Sequence, residues 1–332
     1  RRLNQILANN FDFAPDAECS VELDPRTLTL EKVAALAEGG FRRASFGVQD
    51  VNPAVQEAVH RIQPSELNRK TLGWLRDAGF KSINVDLIYG LPKQSVESFK
   101  ETLEEVLSYN PDRFAVFSYA HVPWVAPAQK ILSRESLPSP ELKLSMLEVI
   151  IEHLTDAGYR YIGMDHFARA DDELALAQQN GSLHRNFQGY STRAGREIAA
   201  FGMSSISQTD HSYRQNEKSL DTYYAALDQG RLPIERGYIL TQDDRIRRSV
   251  IMDLMCHGII DYSKTSQRLG IDFTEYFKSE IQSLDTMEID GLLVREATHL
   301  QVLPAGWLLI RNIAMQFDRY LSNQSNRHAQ TL

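Results

Sequence analysis

Three polar residues, Glu22, Gln49 and Asp86, fall at or just beyond the ends of three successive predicted strands, and Tyr119-Ala120-His121 follows a fourth. Within Ser82-Ile83-Asn84-Val85-Asp86-Leu87-Ile88-Tyr89-Gly90-Leu91-Pro92, Asn84 and Asp86 alternate with Ile83, Val85 and Leu87. Strand side chains alternate faces, so Asn84 and Asp86 share one. A carboxylate among aliphatic residues is costly without partners. Asp86 therefore either caps a local turn or faces a polar cavity at the C-terminal end of its strand. Polar residues at four strand ends in series suggest a lined mouth, with the capping of turns and loops as the plainer alternative. Glu22 and Asp86 could act as acid and base in a barrel lyase or aldolase. That chemistry needs a lysine or a metal set at the strand ends, and none is evident.

A second concentration of chemistry-bearing groups is His184-Arg185-Asn186-Phe187-Gln188-Gly189-Tyr190-Ser191-Thr192-Arg193, which packs aromatic, amide and guanidinium groups into ten residues. It reads as a ligand-contacting segment or as a loop packed through Phe187 and Tyr190. Gly202-Met203-Ser204-Ser205-Ile206-Ser207 reads as a small-residue approach to a ligand or a close-packed strand.

The elements that must position these residues follow a strand–helix rhythm from residue 18 to about 163. Strands are predicted at Cys19–Leu23, Ala44–Val48, Ser82–Tyr89, Phe114–Phe117 and Tyr159–Ile162, with helices between them that Thr29, Asn52-Pro53, Ser65, Ser95 and Ser139-Pro140 can start. The helix endings Gly39-Gly40-Phe41, Ala78-Gly79-Phe80 and Ala157-Gly158-Tyr159 recur at about one or two unit lengths. Such runs build parallel sheets by right-handed crossovers. No Gly-x-Gly-x-x-Gly or P-loop follows a strand, so a barrel or part of one is preferred to a doubly wound sheet. Barrel sites lie at the C-terminal ends of strands, where the polar series falls. Met164–Arg169 is expected to leave the last strand toward a helix opened at Asp171-Asp172-Glu173. From Thr241 the chain turns helical, with further helical patterns at Phe273–Leu284 and Trp307–Tyr320. Gly291–Arg295 and His299–Leu303 read as a hairpin wing, giving a mostly α-helical, winged-helix-like C-terminal domain.

The chain has 332 residues with a net charge of −8, which disfavours nucleic acid as the main partner and a DNA-reading role for the wing. No apolar run approaches the ~18 residues of a membrane span. Two cysteines, Cys19 and Cys256, make no disulfide framework and suit a reducing cytosol, and the nine histidines show no metal-ligand spacing. The start, Arg1-Arg2-Leu3-Asn4-Gln5-Ile6-Leu7, resembles the middle of an amphipathic helix, so the chain is expected to be part of a longer protein.

Several of these stretches carry a family resemblance. Ser20-Val21-Glu22-Leu23-Asp24-Pro25, Phe46-Gly47-Val48-Gln49-Asp50, Asp86–Lys93, Tyr119-Ala120-His121-Val122-Pro123, Gly163–Arg169, His184–Tyr190 and Leu308-Leu309-Ile310-Arg311-Asn312 resemble the oxygen-independent coproporphyrinogen III oxidases (coproporphyrinogen dehydrogenases, HemN-type) of the radical S-adenosylmethionine (SAM) superfamily. Arg185-Asn186-Phe187-Gln188-Gly189-Tyr190 is the discriminating stretch, since the related haem chaperones carry His-Asn-x-x-Tyr-Trp there. A non-catalytic tetrapyrrole-binding chaperone of the same fold is the alternative.

The resemblance implies a partial (βα) radical-SAM barrel over 1–165, a substrate-covering connection over 166–240, and the winged-helix-like domain over 241–332. It implies a 4Fe–4S cluster and two SAM molecules, a 5′-deoxyadenosyl radical, and conversion of two propionates of coproporphyrinogen III to vinyl groups with loss of CO₂, giving protoporphyrinogen IX in haem biosynthesis. By the resemblance, Glu22 and Ile206 contact the SAM on the cluster, and Gln49, Arg61, Asp86 and Ala120 contact the second. A carboxylate can accept from the SAM ammonium or hydroxyls and Arg61 can pair with its carboxylate, although Arg61 also reads as an exposed helix-end cation. The tetra-acid substrate calls for a local basic patch, with Arg169, Arg185 and Arg193 as candidates beside Phe187 and Gln188. An electron donor and acceptor, a cytoplasmic location and a monomer are also implied. The sequence departs from the family in two respects: the Cys-x-x-x-Cys-x-x-Cys motif that holds the cluster is missing, and so are the first βα elements with their glycine-rich SAM-binding turn. The chain by itself is therefore expected to hold neither a cluster nor a properly bound SAM and to be inactive.

Overall fold

The computed structural model describes residues 2–132 and 136–321. The chain divides between Leu176 and Ala177 into two compact units.

In the first unit, helix α1 (Arg2–Asn10) leads to strands β1 (Ser20–Leu23), β2 (Arg43–Gln49), β3 (Ser82–Tyr89) and β4 (Arg113–Ser118). The helices α2 (Leu30–Glu38), α3 (Pro53–Ala58), α4 (Ser65–Asp77), α5 (Val96–Leu107) and α6 (Pro140–Asp156) start where the sequence places them, all but α4 behind a side-chain cap. Thr29 accepts from the Lys32 N–H, Asn52 from Ala54 and Ser139 from Leu142, while Ser95 and Ser98 close a reciprocal capping box. Gly40, Gly79 and Gly158, just past α2, α4 and α6, take φ of 86°, 82° and 88°, which suits a residue without Cβ.

β1 through β4 pair in parallel, in chain order. Ile83, Val85, Leu87 and Tyr89 on one face of β3 are buried, with the Tyr89 ring centroid 6.5 Å from that of Phe99 on α5. Asn84, Asp86 and Ile88 on the other face are only partly covered. This two-fold alternation is the one the sequence carries.

Two expectations are corrected here. The segment after residue 163 does not leave the sheet: β5 (Tyr159–Gly163) turns through Met164-Asp165 into β6 (His166–Arg169), which runs back antiparallel between β5 and β4. Phe167 and Ala168 are thereby buried, and the Tyr161 hydroxyl closes the turn on the Met164 carbonyl at 2.9 Å. Asp86 is not a strand-end residue either, since β3 continues for three residues to Tyr89. At the start of β4, Arg113 pairs with Asp172 at 2.8 Å and Glu173 at 3.2 Å, and Arg43 reaches Glu173 at 2.7 Å. Asp172 also caps helix α7 (Glu173–Gln179) by accepting from the Leu174 N–H.

The second unit opens with a hairpin, β7 (His184–Asn186) and β8 (Gly189–Ser191). An antiparallel sheet follows in the order β11-β10-β9, built from β9 (Ile206–Gln208), β10 (Ser212–Asn216) and β11 (Ile234–Ile239), with helix α8 (Leu220–Asp228) between the last two. Helix α9 (Gln242–His257) is opened by a capping box between Thr241 and Asp244. Strand β12 (Ile259–Asp261), helix α10 (Tyr262–Leu269) and the wing strands β13 (Leu293–Arg295) and β14 (His299–Val302) give a sheet of order β12-β14-β13. The two remaining expected helices are each divided. Phe273–Leu284 becomes α11 (Phe273–Tyr276) and α12 (Lys278–Ser283), then α13 (Asp285–Ile289), and the turn at Phe277 lets its ring pack 5.1 Å from Phe273 and 5.4 Å from Phe317. The C-terminal pattern becomes α14 (Pro304–Leu308) and α15 (Ile310–Met315), broken at Leu309.

Candidate functional site

Parallel register sets side chains of the same row on the same face. Glu22, Ser45 and Asn84 form one row, and Gly47, Asp86 and Ala115 form another. Asp86 is therefore flanked by a glycine and an alanine, which leaves its carboxylate room. Asn84 Nδ2 donates to Asp86 Oδ1 at 2.7 Å and to Ser45 Oγ at 3.0 Å, and the Ser45 hydroxyl stands 3.5 Å from both Asp86 oxygens. Burial, reinforced by the nearby Glu22 carboxylate, pushes the Asp86 carboxyl up to about 6, against the pull of Asn84, Ser45 and Arg61. The turn-cap alternative is excluded, because the carboxylate meets side chains across the face rather than a local N–H.

Arg61 follows α3 and is turned inward, with 24% of its side chain exposed, rather than standing in solvent as a helix-end cation. Its Nη2 donates to the Gly47 carbonyl at 3.0 Å and stands 3.9 Å from Asp24, while its Nε is buried without a hydrogen-bond partner. Asp24 is held down to about 2, chiefly by its hydrogen bond with Arg26. Gln49 folds its carboxamide over Gly47, where a Cβ would lie 2.0 Å from Nε2. Glu22, Gln49, Arg61 and Asp86 are thus brought together on one face. Ala120 lies exposed just past the end of β4, its carbonyl accepting from Gln129 at 3.1 Å, and the Tyr119 hydroxyl is 3.4 Å from His121 Nδ1. Ser45 and the buried Asp50, Gln56, Gln63 and Gln94 were missed by the sequence reasoning. A run of glutamines and an aspartate around the Asn52-Pro53 cap was the available signal.

Arg169 is a correction. It ends β6 beside the start of β4, donating its N–H to the Asp112 carbonyl and its guanidinium to Asn110 and Asp171. That is the opposite end of the sheet from the strand exits, so it belongs to the ionic rim there and not to the mouth.

In the second unit, Ile206 opens β9. Phe187 and Gln188 form the two-residue tip of the β7–β8 hairpin; Phe187 is 42% exposed, and the Gln188 N–H is held by Asn186 Oδ1 at 2.8 Å. The hairpin is anchored by the Tyr190 hydroxyl, which donates to the Met255 carbonyl at 2.9 Å. The Arg185 guanidinium lies over the Tyr190 ring at 5.7 Å with its Nε buried and unpartnered. Arg193 is exposed just beyond β8.

These features define a class: an α/β sheet of four parallel strands with a polar cluster on its open face, followed in the chain by a helical domain with a β-hairpin wing. Residues 1–106 match the radical SAM superfamily and residues 240–309 match the HemN C-terminal domain. A Synechocystis protein named oxygen-independent coproporphyrinogen III oxidase is 47% identical over 329 residues, covering 98% of this chain and 71% of that protein. A Helicobacter pylori (strain J99) protein of the same name is 47% identical over 321 residues, 97% of this chain and 70% of that protein. The solved structure of the Escherichia coli coproporphyrinogen III oxidase HemN, described as a radical SAM enzyme, superposes with a TM-score of 0.93 at 47% identity, over 96% of this chain and 74% of that one. The chain belongs to the oxygen-independent coproporphyrinogen III oxidase family of radical SAM enzymes. The chaperone alternative finds no support among these relatives.

The family implies a 4Fe–4S cluster and SAM. The residues present do not fit the cluster. Cys19 is half-exposed before β1; Cys256 is buried on α9, its thiol pushed up to about 12 by burial. Among the described residues no group of three or more His, Cys, Asp and Glu could hold a metal ion. The residues present fit part of a SAM site: carboxylates that can accept from an ammonium or hydroxyls, and a guanidinium nitrogen without a hydrogen-bond partner that can pair with a carboxylate.

Proposed function

We propose that this chain carries the SAM-binding and substrate-binding part of an oxygen-independent coproporphyrinogen III oxidase. The reaction converts two propionates of coproporphyrinogen III to vinyl groups, each losing CO₂, one hydrogen atom and one electron. The observation that carries the reading is the half-buried Asp86 carboxylate with Glu22, Gln49 and Arg61 converging on one open sheet face. Bound SAM supplies the group that accepts the hydrogen atom; an electron donor and an electron acceptor complete the balance. In this reading two SAM molecules bind. Glu22 contacts one, while Gln49, Arg61, Asp86 and the exposed Ala120 contact the other.

Asp86 accepts from the SAM ammonium or ribose hydroxyls, and Arg61 clamps its carboxylate. Arg185, its guanidinium 5.7 Å over the Tyr190 ring and its Nε without a hydrogen-bond partner, pairs with a substrate carboxylate. Phe187 and Gln188 reach the macrocycle from the hairpin tip, and Arg193 adds positive charge beyond it. Arg169 has no part in this reading.

The test is a chimera in which this chain replaces the matching portion of the Escherichia coli relative. Assayed anaerobically with SAM and a reductant, it should form protoporphyrinogen IX. A folded chimera that binds coproporphyrinogen without forming the divinyl product contradicts the proposal.

A further inference from the structure

Gln49 adopts a backbone shape that its residue type does not favour. Its φ of 68° is left-handed, and the Asp50 N–H donates to the Val48 carbonyl at 2.9 Å. Val48, Gln49 and Asp50 therefore close a γ-turn with a left-handed centre, a rare and strained form. The turn carries the Gln49 carboxamide back over Gly47, where an added Cβ would meet Gln49 Nε2 at 2.0 Å and Arg61 Nη2 at 3.3 Å. Gly47 is the register partner of Asp86. The amide and the guanidinium thus fill the place beside Asp86 that a side chain at position 47 would otherwise take.

A strained turn persists only where its surroundings over-determine it. Here the clamp is Asp50, 2% exposed. Its Oδ1 accepts from the Asn52 N–H at 2.6 Å and the Thr102 hydroxyl at 3.1 Å, and its Oδ2 from Gln94 Nε2 at 2.6 Å. Gln94 also donates to the Ile88 carbonyl and accepts from the Leu91 N–H, both at 2.8 Å, which ties the clamp to the exit of β3. On the other side, Gln56 Nε2 donates to the Asp50 and Gln63 carbonyls, each at 2.8 Å. Gln63 Nε2 returns to the Gly47 carbonyl at 2.9 Å, beside Arg61. The buried Asp50 thus reaches the exit of β3 through its carboxylate, and through its backbone carbonyl it joins the Gln56–Gln63 bridge to Gly47, on which Arg61 also rests.

We propose that Asp50 is a positioning residue, which locks the strained turn at Gln49 and so holds Gln49 and Arg61 ready beside Asp86 for SAM. This rests on the reading of that cluster as a SAM site. Asp50→Asn is nearly isosteric, but it puts an amide where at least one donor now finds an acceptor.

Equilibrium dialysis of SAM against the full chain, with circular dichroism of each protein, compares wild type, Asp50→Asn, Gln49→Ala and the double variant. Asp50→Asn should weaken SAM binding at least tenfold when Gln49 is present and less than threefold in the Gln49→Ala background, because nothing is then left to aim. If Asp50→Asn does not fold, Gln94→Met, which removes the Gln94 hydrogen bonds to Asp50, Ile88 and Leu91 but leaves the Asn52 and Thr102 contacts of Asp50 in place, should show the same background dependence with a several-fold loss. An equal loss in both backgrounds, or none in either, overturns the positioning role while leaving the SAM site standing. Absence of SAM binding by the wild-type chain, or no effect of Gln49→Ala, overturns the reading of the cluster and the inference with it.

Discussion

The chemistry of Asp86 is set by its surroundings. Its carboxyl, pushed up to about 6, is harder to ionise in the folded chain than in the unfolded one. The stability it contributes is full below about pH 4 and is lost as pH rises through about 6. Asp86→Asn should therefore stabilise the ligand-free chain at pH 7 by on the order of 2 kcal/mol and leave it unchanged near pH 3.5. Thermal melts at the two pH values check this, and equal shifts at both contradict it. If the ionised form receives SAM, affinity should fall about tenfold between pH 7 and pH 5 in the wild type and stay flat in Asp86→Asn. The same scale holds Arg185, on Tyr190 with a buried unpartnered Nε. Arg185→Ala should weaken coproporphyrinogen binding far more than SAM binding in titrations of each, and equal losses would remove it from the substrate site. Asp86 was legible as a polar residue on a shared face with Asn84, because strand alternation is a local property. Its partners were not, because the registers Gly47 to Asp86 and Ser45 to Asn84 join residues about forty positions apart.

Among the elements, those with a cap and a strict period were read closely, and those decided by packing were not. Thr29, Asn52, Ser95, Ser139 and Thr241 all cap the helices they were expected to start. Thr241 is the strongest of these, since it accepts from the Asp244 N–H at 3.2 Å and donates to Asp244 Oδ2 at 2.7 Å. Thr241→Ala should cost about 1–2 kcal/mol in urea denaturation with an unchanged slope; a shift below 0.3 kcal/mol would mean the box carries no load. The β5–β6 hairpin went unseen because Met164-Asp165 lacks the Asn-Gly or Gly-Gly signature, and burial of Phe167 and Ala168 decides the turn. The helix over Phe273–Leu284 is likewise divided by the packing of the Phe273, Phe277 and Phe317 rings, which no single window of sequence displays. That hairpin also removes Arg169 from the mouth, since a strand running backward delivers its last residue to the start of β4.

For the whole molecule, family membership rests on near-complete coverage of this chain at 47% identity, and the chain spans 71% of the Synechocystis relative. Two cysteines far apart in sequence cannot furnish a cluster's thiolates, so anaerobic incubation of this chain with iron and sulfide should leave no stoichiometric 4Fe–4S cluster after desalting. A retained cluster would show that other ligands had been recruited. None of the described helices is long and apolar enough to cross a membrane. The central claim is that the open face of the first unit's sheet is a SAM site organised on Asp86. Isothermal titration of SAM into the wild-type chain and into Asp86→Ala at pH 7 tests it most directly. Saturable binding by the wild type that weakens at least tenfold in a folded Asp86→Ala is the predicted result; equal affinities, or no binding by the wild type, would contradict it.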